Sequence, residues 1–161
     1  MTARPITIRR YAADDLDAVI GIFQRAIREV AARDYSPDQI AAWSAVERNE
    51  WEQWRLSRPA WIAEIEGRPA GFTDLEDDGH LDMMFVHPDH QGVGVATALL
   101  DAVEKHAAAL GLAAIYAEAS ITARPFFVRR GFRIVRQGTV ETGGEAFTIF
   151  HVEKDVADGT P

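Results

Sequence analysis

Apolar and polar residues alternate over 6–9, as in a half-buried strand, and beyond Asp14 the apolar positions Leu16, Val19, Ile20, Phe23, Ile27 and Val30 recur at helical spacing. The chain therefore opens with a strand and an amphipathic helix with an acidic start. Ser36-Pro37-Asp38-Gln39 supplies a capping hydroxyl, a proline for the first turn and a glutamine three residues after the cap. A second helix begins there and carries Ile40 and Trp43. Around Trp51 and Trp54 the chain stays apolar without a clear register, open to a helix or to irregular structure.

From Trp61 the period changes to that of strands. Residues 61–65 and 70–75 flank the turn-rich Glu66-Gly67-Arg68-Pro69 and predict a hairpin. Asp77-Asp78-Gly79 turns the chain again, and a mostly apolar strand over 80–86 should stop at His87-Pro88. Val95, Leu99, Ala102, Val103, His106 and Leu110 mark a helix closed by Gly111. A buried strand over 112–119, a short helix over 125–130 ending at Gly131, and closing strands over 132–135 and 147–152 complete the series. Strands and helices interleave without repeat or linker, which predicts an α/β (α+β) fold, a mixed sheet with helices on both faces. One domain over 1–155 is expected, with 156–161 as a frayed tail.

Composition narrows what such a domain can do. In 161 residues, 47% of them hydrophobic, there is enough apolar surface for one good core. Against 17 basic side chains stand 25 acidic ones, a formal charge of -8, which argues against nucleic acid or an anionic membrane as partner and favours a cationic substrate. With no cysteine, thiol nucleophiles and zinc-thiolate sites are excluded, and no histidine-carboxylate spacing makes a metal set. The first ten residues lack a signal-peptide core, and no apolar run reaches the roughly 18 residues of a membrane span, so a cytoplasmic protein is expected.

The most informative segment runs from Val86 to Ala96, between a strand and a helix. Gln91, Gly92, Val93, Gly94, Val95 and Ala96 place small residues where the first amides of a helix are unpaired and its dipole is positive, so a pyrophosphate can bind bare backbone there. An ordinary glycine turn is the plain alternative. A P-loop would need Gly-Lys-Ser/Thr where the chain has Gly94-Val95-Ala96, and a dinucleotide fingerprint would need a small residue at Thr97 and a place near the first strand. Gln91-x-x-Gly94-x-Ala96 after the strand end instead resembles the acetyl-CoA motif of the GNAT superfamily. Ser120-x-x-Ala123-x-x-Phe126-Phe127, followed by Gly131-Phe132, resembles that family's later signature.

The resemblance implies a V-splayed, largely antiparallel sheet of about six to seven strands. It also implies acetyl-CoA as co-substrate and no metal. Backbone near Phe85 and Val86 would bind the pantetheine arm as an extra strand, with Ser120 on its other side. Residues 91–96 would hold the pyrophosphate, while Phe126 and Phe127 would line the thioester end; plain core packing is the alternative for these rings. The family often has a tyrosine where this chain has Phe127, so the hydroxyl that would protonate the departing thiolate is missing there, with Tyr116 and Tyr35 as substitutes.

Acetylation needs a neutral amine, and hence a group that takes a proton. Two residues apart on one strand, His80 and Asp82 would share a face, and Glu118 would lie on the neighbouring strand. These three are the catalytic candidates, with a surface histidine and an arginine-paired glutamate as the bland alternatives. His87 and His90 fit strand-end and surface roles, and His106 a core edge. Tyr35, Trp43 and Tyr116 are candidates for binding the acceptor.

The expected activity is N-acetyl transfer from acetyl-CoA to a primary amine by direct attack through a tetrahedral intermediate, without an acyl-enzyme. A small cationic or aromatic amine is the expected acceptor, with peptide or protein acetylation as the alternative. A non-catalytic acyl-CoA-binding regulatory module is the rival from another class, and a homodimer is left open.

Overall fold

A computed structural model of the chain describes residues 4–157. Four strands, β1 (Ile6–Arg10), β2 (Ala60–Ile65), β3 (Arg68–Asp74) and β4 (Met84–Val86), form an antiparallel sheet in that order. Three more, β5 (Ala114–Ala119), β6 (Arg133–Thr142) and β7 (Glu145–Asp155), form a second sheet in the order β5-β7-β6. The helices are α1 (Leu16–Arg25), α2 (Pro37–Trp43), α3 (Arg48–Ser57), α4 (Val95–Ala109) and α5 (Arg124–Arg129).

Period-two burial puts one core on each face of the first sheet. Trp61, Ala63 and Ile65 of β2 pack with Leu99, Leu100 and Val103 of α4, while Ile62 and Phe72 turn to Val19, Ile22 and Phe23 of α1. Gly71 lets α4 approach: a Cβ there would lie 2.8 Å from Val95 and 2.9 Å from the Phe85 carbonyl. Beyond Arg25 the first helix widens into a π turn (Ala26–Val30) and tightens into a 3₁₀ turn (Ala31–Asp34). The capping box forms as expected, because Ser36 Oγ accepts from Gln39 N–H at 3.1 Å and Gln39 Oε1 from Ser36 N–H at 2.9 Å.

The strand expected over 80–86 is shortened to 84–86. Thr73 and Asp74, both fully buried at the end of β3, take over the ladder with their side chains. Asp74 Oδ1 accepts from the amides of Asp82 and Met83 at 2.9 and 3.0 Å, and Thr73 Oγ1 donates to the Met83 carbonyl at 2.8 Å. Backbone groups held this way cannot continue the pairing with β3. His80 keeps a single parallel bridge to Tyr116, and past it β4 and β5 are not paired.

Around Trp51 and Trp54 the chain is helical. That helix buries Trp51 and also Arg55, whose side chain has no exposure and lies 2.8 Å from Asp74. The closing strands are longer than expected and form a hairpin through Gly143 and Gly144, both at positive φ. Val156, expected to fray, donates its N–H to the Ala113 carbonyl at 2.9 Å; residues 158–161 of the expected tail lie outside the described residues.

Removing the Asp74 carboxylate leaves Arg55 buried without its nearest counter-charge and strips two amides of their acceptor. Asp74→Ala should cost about 3–5 kcal/mol, read from the urea midpoint at unchanged slope. Asp74→Asn keeps one acceptor oxygen and should cost less.

Candidate active site

Where the two sheets part, a groove of about 810 Å³ opens between Met84–Val86 of β4 and the 117–120 end of β5, floored by Phe126 and Phe127. The alternation of the β3–β4 ladder decides which backbone groups face it. His87 N–H donates to Ala70, and Phe85 pairs with Phe72, so Phe85 spends its amide and carbonyl on β3. Met84 and Val86 turn theirs toward the groove. Sequence reasoning named Phe85 and Val86 for this edge and missed Met84; Phe85 contributes its ring instead, 4.9 Å from that of Phe23.

At the groove's end, Gly92 and Gly94 adopt φ of 74° and 97°, and Gly94 is the N-cap of α4 with no side chain capping it. The amides of Val95, Ala96 and Thr97 therefore have no helical partner, and the first turn holds no acidic residue. A Cβ on Gly92 would meet nothing within 4 Å, so the space above the loop is open. This concave run of amides suits a pyrophosphate. Val95 itself points into the core at 1% exposure, and Val93 points away from the groove at 57%. The Gln91 side chain reaches back, its Nε2 donating to the Val86 carbonyl at 2.9 Å.

The candidate proton acceptors stand at the other side of the groove, with Asp82 and Glu118 both on its wall. His80 lies behind Glu118: Nε2 is 2.6 Å from Glu118 Oε2, and Nδ1 is 3.3 Å from Glu76 Oε2. Its ring stacks on Tyr116 at 5.0 Å, and Tyr116 is tied by its hydroxyl to Asp78. The Glu118 hydrogen bond pushes the His80 pKa up to about 9 against the cost of burial, and His80 in turn holds the Glu118 carboxyl below its ordinary value. At neutral pH His80 is thus an imidazolium that holds Glu118 and cannot itself accept a proton. Asp82 is also held, with Oδ2 3.1 Å from Arg58 and 3.8 Å from Arg55.

Glu118 and Ser120 also line a smaller pocket of about 170 Å³, walled by Tyr35, Trp43 and Phe147. Tyr35 and Trp43 thus stand together beside the carboxylate. Tyr116, named with them from the sequence, stands behind His80 and lines neither cavity. Ser120 Oγ accepts from Ala123 N–H at 3.0 Å, and the Tyr35 hydroxyl accepts from Ile121 N–H at 2.9 Å. Phe127, 5% exposed, packs between Phe126 and Phe132 at 5.5 and 5.0 Å. Among the described residues no cluster of three or more histidine, aspartate or glutamate side chains could hold a metal.

Residues 31–152 match the family model described as an acetyltransferase (GNAT) domain. The chain belongs to the GNAT family. It is 38% identical over 147 residues to the uncharacterized N-acetyltransferase YafP of Escherichia coli, covering 91% of this chain and 94% of YafP. A GCN5-related N-acetyltransferase structure from Rhodopseudomonas palustris superposes with a TM-score of 0.92 at 33% identity, over 96% of this chain and 98% of the other. The peptidyl-lysine N-acetyltransferase YjaB of Salmonella typhimurium is 25% identical over 150 residues, 91% of this chain and 97% of YjaB.

In this GNAT chain Phe147, Val140 and Thr142 of the closing hairpin were not named from the sequence, although they line the pocket. Their alternation was present, but nothing in it says what the strand faces. Arg58 and Glu76, which hold Asp82 and His80, carried no sequence signal at all.

Two measurements test this geometry. Gly94→Val forces a branched residue into a left-handed conformation at the mouth of the amide cradle, so acetyl-CoA affinity in calorimetry should fall by roughly tenfold or more with circular dichroism unchanged. For His80, an NMR titration should give a midpoint near 9, moving toward 6.5 in Glu118→Gln. Because the folded pKa of His80 is the higher one, its contribution to stability is complete below about 6.5 and is lost as pH rises through about 9, while Glu118, whose folded pKa is the lower one, contributes stability that is lost as pH falls through its folded value.

Proposed function

We propose that this GNAT protein transfers the acetyl group of acetyl-CoA directly to a primary amine, and that the acceptor is a small cationic or aromatic amine. The observation that carries the reading is the position of Glu118, on the wall shared by the groove with its uncapped helix start and by the aromatic pocket. Acetyl-CoA supplies the activated acyl group: the carbon–nitrogen bond forms first to give a tetrahedral intermediate, the amine gives up a proton, and the carbon–sulfur bond then breaks with its electron pair leaving on sulfur.

The chain's own groups divide the work. The amides of residues 95–97 hold pyrophosphate oxygens, and the outward backbone of Met84 and Val86 aligns the arm. Phe126 and Phe127 keep water from the thioester. Glu118 or Asp82 takes the proton from the amine, directly or through one water. Glu118 is held by the His80 imidazolium, so it is a weak base at neutral pH. Glu118 strengthens as His80 loses its proton, and transfer should quicken as pH rises toward about 9. No cysteine is present to form a thioester with the protein, in keeping with direct transfer.

Acetylation of a peptidyl lysine is a second reading, favoured by the whole-length match to YjaB. A non-catalytic acyl-CoA-binding module is the third, motivated by the missing hydroxyl at Phe127. Coenzyme A release over a panel of amines and a lysine peptide separates the three. Asp82→Asn or Glu118→Gln should lower turnover by about a hundredfold while donor affinity in calorimetry is kept. Wild-type turnover in both variants across neutral and alkaline pH would rule out a side-chain base at this site.

A further inference from the structure

The smaller pocket has a shape and lining that select one kind of molecule. Its aromatic wall is three rings in mutual contact: Tyr35–Trp43 at 5.2 Å, Tyr35–Phe147 at 5.9 Å and Trp43–Phe147 at 6.1 Å between centroids. Opposite cross-strand partners Val140 and Phe147 and their same-face neighbours Thr142 and Ile149 supply the floor, because β6 and β7 alternate in register. Among the described residues Glu118 is the one charged group in the lining.

Three hydrogen bonds fix this wall onto the second sheet and the turn that follows β5. The Tyr35 hydroxyl accepts from Ile121 N–H at 2.9 Å, Thr122 Oγ1 donates to Asp34 at 2.6 Å, and Gln39 Nε2 donates to the Ala146 carbonyl at 2.8 Å. Gly143 closes the seam, since a Cβ there would lie 3.0 Å from that of Ala42. The pocket is therefore formed before any ligand arrives, and little ordering remains to oppose binding.

We infer that this pocket receives the body of the acceptor, and that the acceptor is a primary amine bearing a single ring on a short alkyl chain and no carboxylate. The inference rests on the acetyl-transfer reading and narrows its acceptor. Size supports it: the pocket holds about 170 Å³, and an apolar cavity of ~150 Å³ takes a benzene ring. Charge supports it as well. A ring seated against Tyr35, Trp43 and Phe147 leaves its amine at the Glu118 neck, where the carboxylate faces a cation directly. An amino-acid carboxylate would meet that like charge first, because the counter-ion His80 stands behind Glu118 and outside the lining. A lysine side chain reaches the same neck but leaves the aromatic wall without a partner.

Phenethylamine, propylamine, phenylalanine and a lysine peptide would be compared as acceptors by coenzyme A release. The ring should raise kcat/KM for phenethylamine over propylamine by roughly tenfold or more, and phenylalanine should fall below both. Val140→Trp fills the pocket from an exposed strand position, 40% accessible, and should collapse that ratio toward one. Trp43→Ala removes a wall and should lower the ratio by a second route. Saturation-transfer NMR, with coenzyme A present, should show phenethylamine bound to the wild type and lost in Val140→Trp. A wild-type ratio near one, a preferred lysine peptide, or a ratio untouched by Val140→Trp each overturns the inference while leaving acetyl transfer standing. If no amine is turned over, the transfer reading fails, and the NMR comparison alone decides whether the pocket takes a ring.

Discussion

A buried carboxylate at the end of β3 shapes this molecule more than any other single group. Asp74 accepts from the backbone amides of Asp82 and Met83, and its other oxygen faces the fully buried Arg55. Carboxylate hydrogen bonds replace what the sheet ladder would have supplied, so the fourth strand starts late and the two sheets separate after a single bridge. That separation is the groove. Burial pushes the Asp74 carboxyl up, and Arg55 with the Met83 amide pulls it only part of the way back. An ion pair this deep stabilises little against an apolar alternative, and what it does here is set where a strand begins.

The same network explains the uneven legibility of the sequence. Period and capping are local properties, so the first helix, the capping box at Ser36, the first hairpin and the helix after Gly94 could all be placed from neighbouring residues. A buried arginine reads as a surface residue, which hid the register of the helix around Trp51. Side chains that substitute for a ladder cannot be told from ordinary strand residues, which made 80–86 look like one continuous strand. The turn at residues 91–96 was legible because its glycines mark a left-handed entry into the helix that follows. Its catalytic counterpart was only half legible. His80, Asp82 and Glu118 stood out as polar residues among apolar ones, whereas the roles of Glu76 and Arg58 depend on contacts made across the fold.

The proposed donor and acceptor sides of the site are built on different principles. Backbone does most of the work on the donor side, through the uncapped helix start and the outward-facing edge of β4, and side chains there are small or apolar. The proposed acceptor side is the reverse, with three aromatic rings, the Glu118 carboxylate and a helical layer bonded to the second sheet and to the turn after β5. A backbone-built donor site constrains few residue identities. The acceptor wall is free to change one side chain at a time without disturbing it, which is why the family resemblance named the donor and left the acceptor open.

Gln91 gives the edge of β4 a further property. Its side-chain amide covers the Val86 carbonyl, so the strand edge proposed to take an extended ligand is partly masked against other extended chains. Exposed edges of this kind recruit neighbouring strands and seed aggregation unless something blunts them. A flexible amide is well suited to the task because it can withdraw when the proper ligand offers a better-placed donor. In the proposed donor groove one loop thus carries both the unpaired amides offered to the pyrophosphate and the side chain that masks the strand edge.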